Sequence, residues 1–369
     1  MKVENLVIIK KLKYLKIELI KLIIALLSLA TIMMLSHQNK DAMISFVMIQ
    51  AIITVMSSCL DFGSNVLNMN VAYGNLRFCE SNVDKKLYFG LNTVVAFIIF
   101  FFYQDTIEYY LLPFLIIGSV GNVFLMRSST VYRRSGLAFE SIIKFELSLV
   151  LLKFLSYPIL IILGVQCFKI FLMLCPIFIA SVAFKKNKVE NLSLFKTFLF
   201  SNELHKIQEK IEIKYLIISA SIAFKNQALS LFIPLASQAN QGLVVVITRV
   251  NSIVSLACSG INARIPSIVK EFIDNKKINK LAICYLVLIL AVTISCMTLP
   301  YYIPFISSFF KYSYNVDYFS YEYLLGCVIF FSVLQAANQI VFQSLGKSKL
   351  SLASEYIYIF ILFIIMNKV

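Results

Sequence analysis

Histidine is almost missing from this 369-residue chain. The two that occur, His37 and His205, are isolated from one another and give no basis for a metal site. Charge is also scarce. Asp, Glu, Lys and Arg make up 14% of the residues, where water-soluble domains carry ~25%. Eight cysteines occur, at Cys59, Cys79, Cys167, Cys175, Cys258, Cys284, Cys296 and Cys327. None forms a C-x-x-C pair and most sit inside apolar blocks, so they read as small buried hydrophobes, with no support for a zinc site or a disulfide framework. No P-loop is present, which removes nucleotide hydrolysis as an energy source. No paired carboxylates and no nucleophile–base set stand out, so the chain does not read as an enzyme. No cofactor is implied.

What the chain has instead is apolar length. Hydrophobic residues make up 60% of it, and they come in long blocks rather than alternating faces. A spanning helix needs ~20 mostly apolar residues. Eleven such segments are predicted, at 17–35, 42–60, 87–103, 108–126, 141–163, 167–184, 214–236, 243–263, 280–299, 321–344 and 350–366. The first is too long for a signal-peptide core and no A-x-A site follows it, so it reads as a retained helix. The expected fold is therefore all-α, a polytopic membrane protein.

The net charge of +15 would suit nucleic acid, but the basic residues lie in short connections between apolar blocks. That is the positive-inside pattern. With the amino terminus in the cytoplasm, the inner connections hold 26 Lys and Arg against four on the outside. The longest inner connection, 185–213, mixes Lys185, Lys186 and Lys188 with Leu194, Phe195, Phe198 and Leu199, a pattern that suits a helix lying in the headgroup plane. It divides six spans from five. The expected organisation is an amino-terminal lobe over 1–190, an amphipathic linker over 191–213 and a carboxyl-terminal lobe over 214–369. Short matches, Lys13-Tyr14-Leu15 with Lys214-Tyr215-Leu216 and Asp84-Lys85-Lys86 with Asn275-Lys276-Lys277, fit two repeats running in the same direction.

Four cations fall inside spans: Lys21, Lys153, Lys225 and Arg249. Lys21 is near enough to the cytoplasm to snorkel. The other three sit deeper, where a charge costs at least ~2.5–3.5 kcal/mol and needs a wet cavity or a partner. No midplane acid is evident to pair them, which points to an anionic ligand. Polar stripes accompany the charges: Gln50, Thr54, Ser57 and Asp61 on the second span; Ser221, Lys225 and Asn226 on the seventh; Arg249, Ser252, Ser259 and Asn262 on the eighth; Ser332, Gln335, Asn338, Gln339 and Gln343 on the tenth. Any one stripe could be interhelical glue, but together with the cations they suit a hydrated cavity. Pro158, Pro176 and Pro234 are expected inside helices, as kinks or hinges.

Asp61-Phe62-Gly63, followed by Asn65 and Leu67, resembles the D-[LF]-G signature of the second helix in Wzx-type O-antigen flippases, the polysaccharide-exporter branch of the MOP superfamily. The run Asn226-Gln227 to Pro234, then Gly242 to Arg249, Asn262 and Pro266, resembles that family's seventh and eighth helices. Phe342-Gln343-Ser344-Leu345-Gly346-Lys347-Ser348-Lys349-Leu350 resembles the end of its tenth. The resemblance implies two lobes around a cationic lumen in the bacterial cytoplasmic membrane. It implies transfer of an undecaprenyl-diphosphate-linked oligosaccharide between leaflets, with a polysaccharide polymerase and glycosyltransferases as partners. Arg249 matches a lumen-side arginine of the family, and Asp61 and Gly63 match its second-helix motif. Two departures stand out. Met69 and Asn70 occupy positions where an arginine is common, and eleven spans are expected where the family has twelve or more. The second lobe would then be one helix short.

These readings place Lys153, Lys225 and Arg249 on a diphosphate, Asn226, Ser252, Asn262, Gln335 and Gln339 around sugar, and Asp61 at a cation-coupling or loop-capping position. An exporter of another amphipathic substrate on the same fold is the alternative. A membrane-embedded polymerase fits less well, because the largest outer connection, 300–320, carries only Lys311 and Asp317 as charges.

Overall fold

In hydrocarbon every backbone amide must find its partner inside the protein, so apolar runs of bilayer length fold as helices. The computed structural model of the chain describes residues 2–60, 108–134, 138–186, 213–262, 278–344 and 348–369. Every regular element among the described residues is helical. Ten of the eleven expected spans fall on these helices. The third, 87–103, lies outside the described residues, as does the linker 191–213. Among the described residues, five helices are individually long and apolar enough to cross a bilayer, and a bent pair makes a sixth. The chain is an all-α polytopic membrane protein.

Helices α1 (Lys2–Gln38) and α2 (Lys40–Leu60) are separated by Asn39 alone. The Asn39 side-chain oxygen accepts the Ala42 amide at 3.0 Å and caps α2. Helix α1 begins well before the expected span because its Lys, Leu and Ile run carries no helix breaker. A single 3-10 turn, Tyr109–Leu111, leads into α3 (Leu112–Arg134).

The fifth span was expected as one continuous helix over 141–163. It is instead built in pieces: α4 (Ala138–Ser141), a π-helical turn over Ile142–Leu147, α5 (Ser148–Phe154) and the start of α6 (Ser156–Lys186). Pro158 explains the break, since its ring opposes the carbonyl four residues back, at Phe154. Ser148 bonds back five residues to the Ile143 carbonyl at 3.0 Å, the spacing of a π turn. Helix α6 is itself two helices meeting at Gly164, whose φ of 82° is left-handed. The chain reverses there, because Phe145 and Leu149 pack against Ile179 and Ala180. Glycine adopts that conformation without the clash a Cβ would bring. The reversal falls at the expected connection between the fifth and sixth spans.

Two further expectations need correction. The seventh span ends earlier than 214–236: α7 is Ile213–Leu231, and Pro234 sits beyond it in a 3-10 turn over Ile233–Leu235. Proline has no amide to continue the helical ladder, so it lies past the helix rather than kinking it. The outer connection 300–320 opens as a helix. After α8 (Gln241–Asn262) and α9 (Ile278–Met297), α10 (Leu299–Ser308) follows at a bend of 60°. Pro300 begins α10, where a missing amide costs nothing. Helices α11 (Tyr321–Ser344) and α12 (Ser348–Met366) complete the chain's regular structure.

The chain forms two compact units, one of Met1–Thr31 with Met48–Phe224 and one of Ile32–Val47 with Lys225–Val369. In the first unit, α3 and the second half of α6 run parallel. Gln166 donates to Glu108 at 2.8 Å at one end, and further along Gly118 meets Met173 and Gly121 meets Ile177. A Cβ on Gly121 would lie 2.6 Å from the Ile177 amide nitrogen, so these glycines let two backbones touch. In the second unit α11 is the hub, packing on α8, α9, α10 and α12. The junction of α1 and α2 belongs to this unit, where Lys40 donates to the Gln238 carbonyl at 2.8 Å and lies 6.0 Å over the Tyr312 ring. The Tyr314 hydroxyl accepts the Leu243 amide in the first turn of α8, and burial pushes that hydroxyl up to about 12. Helix α9 presents an apolar surface outward, with Ile283, Leu286, Val287, Leu290 and Ile294 exposed, as suits a lipid-facing helix.

Candidate functional site

The second unit buries full charges. Lys225, on α7, is 5% exposed, and Glu355, on α12, is 1% exposed. Their charges interact. Glu355 stands seven residues into α12, ~10 Å along it at 1.5 Å per residue. This corrects the expectation that no acid lies at depth to meet the cations. Glu355 is such an acid, and Lys225 faces a carboxylate of its own chain. Asn226, the next residue along α7, is exposed.

Around this pair runs a polar network. Asn251 on α8 donates to the Ser332 hydroxyl on α11 at 3.4 Å. The Tyr358 hydroxyl on α12, one turn beyond Glu355, also bonds to Ser332. Four buried side-chain atoms of this unit make no hydrogen bond within the chain: Arg249 Nε and Asn251 Oδ1 on α8, Gln335 Nε2 on α11 and Glu355 Oε2 on α12. Leaving a buried polar group unmade costs ~1–3 kcal/mol, and more for a charged one. Such groups mark places where water, an ion or a ligand completes the bonding. Two of the four are donors, one of them on a cation, and two are acceptors, one of them on a carboxylate, so the arrangement suits a polar guest that offers acceptors and donors. For Ser252, Asn262 and Gln339 the structure describes the backbone alone; all three lie on α8 or α11.

The first unit handles polarity differently. Ser57 on α2 donates to the Ser119 carbonyl on α3 at 3.1 Å, and Asn122 donates to the Ser57 hydroxyl at 3.0 Å. Thr54 bonds back to the Gln50 carbonyl at 2.8 Å. Of this stripe, Ser57 joins two helices, as small polar residues in membranes do, and Thr54 bonds within its own helix. Lys153 is partly buried in the last turn of α5, within electrostatic reach of Cys175. A helix end offers negatively polarised carbonyls, which suit a lysine there. Asp61 and Gly63 lie outside the described residues.

Sequence reasoning missed Glu355, Asn251 and Tyr358. Glu355 was findable as the only acid in the final apolar run, since an acid inside a span is a functional candidate by default. Asn251 was passed over because it lies off the face shared by Arg249, Ser252 and Asn262. Among the described residues no group of three His, Cys, Asp or Glu gathers to hold a metal ion.

Fold and buried charge together describe an all-α membrane protein that buries Lys225 and Glu355 among its helices. The chain superimposes on the inward-facing structure of a multidrug resistance MATE family transporter of the MOP superfamily. The TM-score is 0.56 at 14% identity, covering 92% of this chain and 84% of the other. At that identity the likeness is one of fold. No family model matches the chain, and no curated protein matches it.

Proposed function

We propose that this protein is a membrane transporter working by alternating access, and that its substrate is an undecaprenyl-diphosphate-linked oligosaccharide crossing the bacterial cytoplasmic membrane. The observation that carries this reading is Arg249, a membrane-embedded guanidinium with its Nε unsatisfied and a second unsatisfied donor, Gln335 Nε2, on the neighbouring α11. A diphosphate supplies the acceptors those donors lack, through charge-assisted bonds. Lys225 would shift from Glu355 toward the diphosphate when substrate enters, and Lys153 adds positive potential in the first unit. Asn226, Ser252, Asn262, Gln335 and Gln339 would serve sugar hydroxyls, and Asp61 and Gly63 would keep their motif role. The amino terminus would be cytoplasmic, as the loop charges ask. Polymerase and glycosyltransferases would act on the same lipid-linked chain.

One observation favours a second reading, export of another amphipathic solute. Glu355 beside Lys225 makes the second unit's interior less cationic than the sequence suggested. Complementation separates the two. Expression in a flippase-null strain should restore surface polysaccharide, and Arg249→Ala should abolish that rescue at equal membrane abundance. Absence of rescue together with lowered susceptibility to amphipathic drugs would overturn the oligosaccharide reading in favour of the exporter.

A further inference from the structure

Cys296 and Cys327 stand 31 residues apart in sequence, yet the fold brings the Cys296 thiol against the Cys327 backbone. Cys296 is the penultimate residue of α9, and its sulfur lies 3.9 Å from the Cys327 carbonyl oxygen on α11. The approach is set by the helix break. At the 60° bend between α9 and α10, Leu299 packs onto Gly326, where a Cβ would lie 2.6 Å from a Leu299 methyl. Gly326 therefore allows α11 to come close, and Cys327 is the next residue. The surroundings are ordered. The Tyr318 hydroxyl bonds to the Met297 carbonyl at 3.0 Å, Tyr302 bonds to the Ser295 carbonyl at 2.8 Å, and the Tyr318 and Tyr323 rings are 5.1 Å apart. The Tyr323 hydroxyl reaches the Met297 sulfur at 4.0 Å.

We propose that Cys296 and Cys327 form a redox-active dithiol that closes to a disulfide, pinning α9 to α11 at the α9–α10 bend. The two thiols differ in a way that sets the order of events: Cys327 is half-buried and Cys296 is 5% exposed. The more accessible Cys327 thiol meets an oxidant first, and it reacts as the thiolate. Cys327 attacks one sulfur of an organic disulfide, forms a mixed disulfide and releases one thiol. Cys296 then loses its proton and attacks the Cys327 sulfur, expelling the second thiol. Two electrons pass from the protein pair to the oxidant, and the two protons leave with the released thiols. On the charge bias of the loops this end of the helices faces away from the cytoplasm, the side on which disulfides persist.

The test uses the purified full chain in detergent, treated with dithiodipyridine and digested without reduction for mass spectrometry. Cys167 and Cys284 are exposed and serve as internal controls that take up the pyridyl group. The expected result is a Cys296–Cys327 cross-linked peptide with no pyridyl adduct on either residue. In Cys296→Ser, Cys327 should instead carry the adduct. Cys327→Ser guards against a folding defect in the first variant: it should lose the cross-link and leave Cys296 reacting at least ~10-fold more slowly than the exposed controls, as a buried thiol does. Separate adducts on both residues of the wild type, or both thiols unreacted while the controls are modified, would overturn the proposal.

Discussion

The two units bury polar groups for different ends. In the first, hydroxyls and one amide close the contact between α2 and α3, with Ser57 bonded to Ser119 and Asn122. Glycines at 118 and 121 then bring α3 against α6. In the second, α7, α8, α11 and α12 carry Lys225, Glu355, Arg249, Asn251 and Gln335, and four of their buried polar atoms make no hydrogen bond within the chain, against two among the described residues of the first, Glu140 Oε2 and Ser156 Oγ. Apolar helices need small residues and modest hydrogen bonds to associate. They do not need buried charge, which costs more than it returns unless paired. The first unit therefore shows what holding the fold together takes. The excess polarity of the second is then better explained by something the protein binds.

The largest expected effect comes from breaking the charge pair. Glu355→Leu leaves Lys225 buried without its carboxylate and should destabilise the second unit by ~3–5 kcal/mol. Lys225→Met/Glu355→Leu should recover most of that loss. Thermal unfolding of the detergent-solubilised proteins reads both. A single variant as stable as the double would show that the pair is not coupled in the way the geometry indicates. Next in size is Gly121→Leu, which forces α3 away from Ile177 and should cost ~1–3 kcal/mol through overpacking. If Gly121→Leu melted with the wild type, the close backbone contact assigned to the first unit would be wrong. Smallest is Ser57→Ala, which deletes one interhelical bond worth ~0.6 kcal/mol in membrane proteins. It should leave transport intact, and a transport defect at normal stability would move the first unit's stripe from glue to substrate path.

Much of the fold could be read from apolar length alone. Segments 243–263, 321–344 and 350–366 match α8, α11 and α12 to within two residues at each end, because uninterrupted hydrophobic runs have no competing structure in a bilayer. The parallel run of α3 and the second half of α6 is also what alternating spans require. The errors gathered at prolines. Pro158 split a span, Pro234 ended one early, and Pro300 lies in the first turn of an unexpected helix, whereas the reversal at Gly164 falls at the expected connection between spans. A proline's effect depends on which carbonyl it opposes, and spacing alone does not say whether a helix kinks, breaks or begins there. The site was legible in its cations but not in its acid. Glu355 was assigned to a lipid-spanning helix without asking what a carboxylate would do there, and only packing brought it to Lys225.

The central claim is that Arg249 is kept for a guest and not for the fold. It is tested by measuring stability and translocation on the same preparation of Arg249→Gln, using vesicles loaded with labelled polyprenyl-diphosphate oligosaccharide. Loss of a charged hydrogen-bonding group of ~1.5–3 kcal/mol predicts translocation reduced ~10- to 100-fold. The unfolding midpoint should be unchanged or higher, because a buried group without a partner in the chain has been neutralised. Translocation at the wild-type rate, with the unfolding midpoint lowered, would contradict the account and make Arg249 a structural residue.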